Sequence, residues 1–162
     1  MTGATRPRDP EDIENAGIGP HEEGGAPQDP GSTGTPTVFA TLQAEDAHAL
    51  ITYLTETFGF RLTARYDDGD TVAHAELLWP EGAGGVMLGS YREGRDWTRK
   101  PGTAGTYVVV QDVDALHDRA QKAGAEVVIP LSDTAYGSRE FGVKDPEGNL
   151  WSFGTYPGVP MP

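Results

Sequence analysis

The strongest constraint on this chain is an internal repeat. Asp46-Ala47-His48-Ala49-Leu50 opens an amphipathic stretch that closes at Phe58-Gly59, and Asp112-Val113-Asp114-Ala115-Leu116 opens a second that closes at Ala123-Gly124. The two starts are 112 − 46 = 66 residues apart. Pro80-Glu81-Gly82 returns as Pro146-Glu147-Gly148 at the same offset, and each copy is followed by a short apolar run ending in glycine, Val86–Gly89 and Trp151–Gly154. A fixed period of this kind points to two copies of one supersecondary unit, neither large enough to bury its own apolar face. Such units pack side by side, and a ligand cavity would lie between them.

Hydrophobic periodicity fills in each copy. Val38, Ala40 and Leu42 alternate with Phe39, Thr41 and Gln43, which predicts a strand. Asp46 suits a helix N-cap, Ala47, Leu50, Leu54 and Phe58 recur at helical spacing, and Gly59 supplies a stop. Strands are expected over Arg61–Tyr66, Val72–Trp79 and Gly85–Ser90, separated by turn-rich segments. The second copy repeats the order: a strand over Thr106–Gln111, a helix from Asp112 to Ala123 burying Val113, Leu116 and Ala120, then strands at Glu126–Pro130, Arg139–Lys144 and Leu150–Tyr156. The predicted order is β-α-β-β-β twice. The modules span residues 36–90 and 105–157, joined by a connector over 91–104, with a short tail at 158–162. The connector region holds Arg92, Arg95, Arg99 and Lys100, four of the chain's twelve basic residues, together with Trp97.

Residues 1–35 read differently. They carry five prolines, many glycines, and only Ile13 and Ile18 as large aliphatics. That composition cannot bury enough surface to offset chain entropy, so a disordered acidic tail is expected. The chain has no cysteine, which excludes disulfides, thiol catalysis and thiolate metal sites. No apolar run reaches membrane-spanning length and the N-terminus has no signal-peptide core, so a cytoplasmic protein with no membrane partner is expected. A net charge of −13 argues against nucleic acid as a partner. No serine sits in a nucleophile elbow, and no glycine-rich loop precedes a helix.

The two modules, the Asp-Val-Asp-Ala-Leu helix start at 112–116 and the closing Asp-Pro-Glu-Gly-Asn-Leu-Trp-Ser-Phe at 145–153 resemble the vicinal oxygen chelate superfamily. That group contains glyoxalase I, extradiol dioxygenases and bleomycin-resistance proteins. The resemblance covers roughly residues 36–157. It implies an α+β fold in which two βαβββ modules form one incomplete eight-stranded barrel around a cleft, with the helices outside. It also implies a homodimer, since members commonly complete or flank their clefts by pairing modules.

In the metalloenzymes of this group, the first and last strands of each module present inward-facing ligands to a divalent metal. Carried over by motif spacing, those positions are Phe39, Met87, Gly105 and Ser152. None of these side chains holds a hard or borderline divalent cation, which takes imidazole or carboxylate. No metal and no other cofactor is therefore expected. Neighbouring residues in each register (Val38, Ala40, Thr106, Val86, Leu88, Trp151 and Phe153) are no better suited.

His74 and Glu76 share one strand face, opposite the apolar Ala75, Leu77 and Trp79. They could anchor a ligand or act as a general base pair; an exposed rim strand is the plain alternative. His48 and His117 fall among solvent-facing helix residues, and His21 falls in the tail. Trp97, with the connector arginines, could cover a planar or anionic ligand. Phe39, Thr41, Gln43, Met87, Tyr107, Val109, Gln111, Leu150 and Ser152 are the remaining expected cleft-lining residues. Such a lining suits an amphiphilic organic molecule, although the same residues could fill a collapsed barrel.

Three functional readings follow. The leading one is a metal-independent small-molecule-binding protein resembling the drug-sequestering members. The second is a divergent lyase or isomerase using His74 and Glu76. The third is a dimeric regulatory or scaffold module.

Overall fold

The structure, a computed structural model, describes residues 35–96, 98–160 and 162. The tail expected over 1–35 lies outside them except for its last residue, and so does Trp97. The first module runs β1 (Phe39–Ala44), α1 (Ala47–Tyr53), β2 (Arg61–Asp68), β3 (Thr71–Leu78) and β4 (Gly85–Ser90). The second runs β5 (Gly105–Val109), α2 (Val113–Lys122), β6 (Glu126–Asp133), β7 (Arg139–Lys144) and β8 (Leu150–Gly154). Each module forms its own four-stranded sheet, in the orders β1-β4-β3-β2 and β5-β8-β7-β6. The β1–β4 and β5–β8 pairs are parallel and the other ladders antiparallel. The fold is thus α+β, built from two βαβββ modules, and the two sheets do not close into a barrel.

The helices begin where the capping residues place them. Asp46 accepts a hydrogen bond from the Ala49 amide and Asp112 from the Ala115 amide, both at 2.9 Å, so each start is fixed by the same side-chain cap. Helix α2 buries Val113, Leu116 and Ala120, as its periodicity predicts. The first helix departs from expectation. After Tyr53 it widens into a π-helical turn over Leu54–Phe58, ending at Gly59 with φ of 90°. The left-handed conformation there is one that glycine adopts without penalty.

The widened turn belongs to the seam between modules. Phe58 lies 4.6 Å from Phe153 and 5.8 Å from Trp151, ring centre to ring centre, and Phe60 lies 5.6 Å from Trp151. One continuous core results, combining Leu42, Ala75, Leu77 and Leu88 from the first sheet with Val108, Phe141, Val143 and Trp151 from the second. Arg119 of α2 donates hydrogen bonds to the Thr55 and Glu56 carbonyls at the end of the π-helical turn, at 2.8 to 3.1 Å. The Thr55 carbonyl also accepts from the Gly59 amide at 3.1 Å, so Arg119 adds a second donor there and supplies donors to the Glu56 carbonyl at the helix end.

The repeated Pro-Glu-Gly turns lock the modules reciprocally. The Glu81 carboxylate of the first module accepts a 2.7 Å hydrogen bond from the Gln111 amide, at the entry to α2. The Glu147 carboxylate of the second accepts bonds of 3.0 and 2.9 Å from the Glu45 and Asp46 amides, at the entry to α1. Trp79 adds a third link, its indole N–H donating to the Val109 carbonyl at 3.0 Å. Among the described residues no helix is long and apolar enough to cross a membrane.

Candidate functional site

With alternate residues of each strand committed to the core, the other half of each sheet faces outward. In the first module these are Thr41 and Gln43 of β1, His74 and Glu76 of β3, and Met87 and Gly89 of β4. Thr41 pairs with Met87 and Met87 with Glu76, so the three form one row across the sheet. A cavity of about 610 Å³ opens over this face. Thr41, Gln43, His74 and Met87 line it from the sheet, and the connector lines it from above through Arg92, Arg95, Thr98 and Arg99.

The connector is held over the cavity by specific bonds. The Arg92 guanidinium donates to the Asp68 carboxylate at 2.9 Å and to the Thr71 hydroxyl at 3.1 Å, tying it to the β2–β3 turn. Thr98 Oγ1 donates to the Arg92 carbonyl at 3.1 Å, and the Arg99 amide donates to Gln43 Oε1 at 3.2 Å. The Arg99 side chain turns to Thr103, donating to its hydroxyl and its carbonyl at 3.1 and 2.9 Å. Arg95 is exposed and, among the described residues, has no hydrogen-bond or ion-pair partner.

On β3, His74 Nε2 sits 3.0 Å from Glu76 Oε1, and both side chains are half-buried. The Tyr66 ring stacks over the imidazole with centres 6.3 Å apart. The carboxylate fixes the orientation of the ring, which is how a histidine base is commonly steered. Only His74 of the two reaches the cavity lining.

The second module presents its equivalent row as Tyr107, Ser152 and Gly142, again from paired strand positions. The cavity over the first sheet does not extend to this row, and two close approaches crowd it. A Cβ on Gly154 would stand 2.5 Å from the Tyr107 hydroxyl, and one on Gly142 would stand 3.0 Å from Ile129 Cδ1. Large side chains lie down over glycines and occupy the space that Thr41 leaves open in the first module. Tyr107 is held in place by the Tyr156 backbone, donating to its carbonyl and accepting from its amide, both at 3.1 Å. The result is an apolar face open to solvent: Tyr107, Val109, Ile129 and Leu150 are 44, 42, 52 and 53% exposed. Tyr136 Oη donates to the Glu140 carboxylate at 2.9 Å on the same module, and that bond raises the Tyr136 pKa.

The sequence-predicted site residues therefore divide. Thr41, His74 and Met87 come together in the cavity, with Gln43 beside them. Glu76 reaches it only through His74, and Phe39 begins β1 outside the lining. Tyr107, Leu150 and Ser152 lie on the other sheet. Gln111 serves the module seam through its amide. His117 differs from expectation: only 15% of its side chain is exposed, and its ring packs edge-on against Phe141 at 5.1 Å. Ser90 was not singled out by the sequence, yet its hydroxyl lines the cavity and accepts from the Val72 amide at 3.0 Å. No motif marks it; it is visible only once β3 and β4 are paired.

The four positions where family metalloenzymes carry ligands are split between the two sheets here, Phe39 and Met87 on one, Gly105 and Ser152 on the other. The donor set of a benzyl ring, a thioether, a glycine and a hydroxyl does not fit a divalent metal. Among the described residues no group of three His, Asp or Glu side chains is placed to hold one.

The model of the Glyoxalase/Bleomycin resistance protein/Dioxygenase superfamily matches residues 37–153. The chain belongs to this superfamily. Among solved structures, TioX from Micromonospora sp. ML1 is similar at 33% identity and a TM-score of 0.60, over 75% of this chain and 98% of that one. A glyoxalase/bleomycin resistance protein from Streptomyces sp. CB03234 shares the fold at 22% identity and a TM-score of 0.58, over 71% and 96%. An uncharacterised protein of Mycobacterium tuberculosis is 48% identical over 48 residues, a stretch that spans 30% of this chain and only 28% of that relative.

Proposed function

We propose that this protein binds a small amphiphilic organic molecule in the first-module cavity, without a metal and without converting it, as a drug-sequestering member of its superfamily would. The observation that carries the reading is the cavity itself. Its volume of about 610 Å³ falls within the range of small-molecule sites, about 300–1,000 Å³, and it combines an apolar floor at Met87 with convergent polar groups. The donor set at the family's metal positions supports the metal-free part. A screen of planar metabolites and antibiotics by thermal shift, run in chelator, tests it. A ligand at about 100 times its dissociation constant adds about 2.7 kcal/mol of apparent stability. No stabilisation by any compound, or stabilisation that disappears in chelator, counts against the reading.

The protein acts as a homodimer in this proposal, with a second copy covering the open face of the second module. Support comes from the exposed Tyr107, Val109, Ile129 and Leu150 beside Glu140, opposite in character to the arginine-bearing mouth of the first module. The compartment in this reading is the cytoplasm, which the cysteine-free sequence suits.

One observation favours a second reading. The 3.0 Å His74–Glu76 contact on the cavity side gives a base with an orienting acid, as a lyase or isomerase would use. Turnover of any cavity ligand, abolished by His74→Ala with binding retained, would replace the sequestering reading with this one.

A further inference from the structure

The charge at the cavity mouth runs against the charge of the protein. The chain carries −13 overall, yet the connector places Arg92, Arg95 and Arg99 around the opening, with Asp96 the acidic residue among the connector's lining positions. A general surface field cannot account for a cation cluster in so acidic a molecule, so the local arrangement has to. Two of the three guanidinium groups already have structural partners. Arg92 is held by Asp68 and Thr71, which ties the connector to the β2–β3 turn, and the Arg99 side chain is spent on Thr103 within the connector. The acid on β3 facing this side, Glu76, is engaged with His74. Arg95 alone of the three has no hydrogen-bond or ion-pair partner among the described residues.

We infer that the ligand of this cavity is an organic anion, with its apolar body on Thr41 and Met87 and its carboxylate or sulfonate received by Arg95. The inference rests on the reading that the cavity takes an organic ligand, and it adds the chemical class. A guanidinium presents a planar fork of donors that matches a carboxylate or sulfonate, and charge-assisted bonds of this type are roughly twice as strong as neutral ones. Arg95 is then a specificity-determining residue, selecting an anionic head group from among apolar bodies of similar shape. The bonds that hold Arg92 and Arg99 keep the connector in place, so that Arg95 meets the ligand without the whole segment being ordered at the moment of binding.

A matched pair of fluorescent probes separates the head group from the body. Anilinonaphthalene sulfonate carries an anion on a naphthylamine frame, and phenylnaphthylamine is the same frame without it. Both are titrated into the full chain in chelator. Wild type is expected to bind the sulfonate more tightly than the neutral probe. Arg95→Ala should weaken the sulfonate by about tenfold, the size of one charge-assisted hydrogen bond to a partly solvated group, and leave the neutral probe unchanged. Arg95→Lys should recover part of the loss. Met87→Trp, or Thr41→Phe should that variant misfold, fills the cavity floor and should displace both probes. Equal loss of both probes in Arg95→Ala, or no loss of either, overturns the anion inference while leaving the cavity as a binding site. Sulfonate binding that survives the floor-filling variant places the probe outside the cavity and overturns it too. If neither probe binds wild type, the cavity reading falls with it.

Discussion

The row Thr41–Met87–Glu76 on the first sheet and the row Tyr107–Ser152–Gly142 on the second occupy the same strand positions, offset by 66, 65 and 66 residues. Among the described residues, the cavity of about 610 Å³ lies over the first row and takes in no residue of the second. Sheet order and ladder directions are the same in both, so the difference lies in the side chains at matched positions and in the connector that lines the cavity from above. A threonine in the first row leaves room above the sheet, whereas a tyrosine in the second lies over Gly154 and Ile129 lies over Gly142. The backs of the two sheets, by contrast, remain alike, with both apolar faces entering one core. A duplicated fold can thus keep its packing face as a pair while its outward faces diverge into a cavity and an apolar surface.

That contrast can be broken at its buried side first. Position 79 holds Trp and the matching position 145 holds Asp. Asp145 is buried and accepts from the Asn149 amide and side chain, the Trp151 indole and the Glu147 amide. Asp145→Ala strands these donors and should cost about 3 kcal/mol or more by chemical denaturation, as removing a buried charged partner does. Trp79→Phe loses one hydrogen bond to Val109 and should cost about 1 kcal/mol. Similar losses would mean that the two positions serve the fold equally.

The outward faces give the next effect. Leu150→Arg on the second-module face should convert a dimer to a monomer by light scattering, a loss of about 2 kcal/mol or more in association if the residue lies at the centre of the interface. The same substitution should leave the monomer's melting temperature almost unchanged. A wild-type monomer at micromolar concentration would remove the second copy from the account.

The reciprocal clasps predict a smaller asymmetry. Glu147 receives two amides and Glu81 one, so Glu147→Ala should destabilise by roughly 1 kcal/mol and Glu81→Ala by about half of that. Equal effects would show that the clasps do not add in proportion to their bonds.

Tyr53 on α1 and Arg119 on α2 are also matched positions. Burial, followed by the nearby Asp145 and Glu126 charges, pushes the Tyr53 phenol up to about 12. The unfolded chain ionises this group at its ordinary value of about 10. Between the two values the unfolded state releases a proton that the folded state keeps, so stability should fall as pH rises through that window. Tyr53→Phe should flatten the fall; an unchanged alkaline profile would mean that the phenol does not report on the seam.

Much of this was legible in the residues. The 66-residue repeat gave the module order, strand parity placed Ala75, Leu77 and Trp79 inward and His74 outward, and β4 and β7 begin and end where the alternation predicts. The helix did not stay α-helical through Phe58, because the position of that ring is decided by Phe153 and Trp151, nearly a hundred residues away. Strand β6 runs past Pro130 to Asp133, which an edge strand with a register shift tolerates. The repeated Pro-Glu-Gly read as a turn and nothing more. Its glutamates act on the opposite module, and the offset alone could not reveal that. Which sheet would carry the cavity was equally hidden, because Tyr107 and Thr41 both read as lining until Gly154 was seen beneath the tyrosine.

The central claim, a metal-free ligand site on the first module, is tested most directly at Met87. The chain has three methionines, so methyl-labelled methionine gives a small resonance set, and Met87, assigned by its Met87→Leu variant, marks the cavity floor. Titration with anilinonaphthalene sulfonate in chelator should move the Met87 methyl resonance in step with probe fluorescence. A Met87 methyl that stays fixed while the probe saturates, or binding that vanishes when chelator is added, would contradict the account.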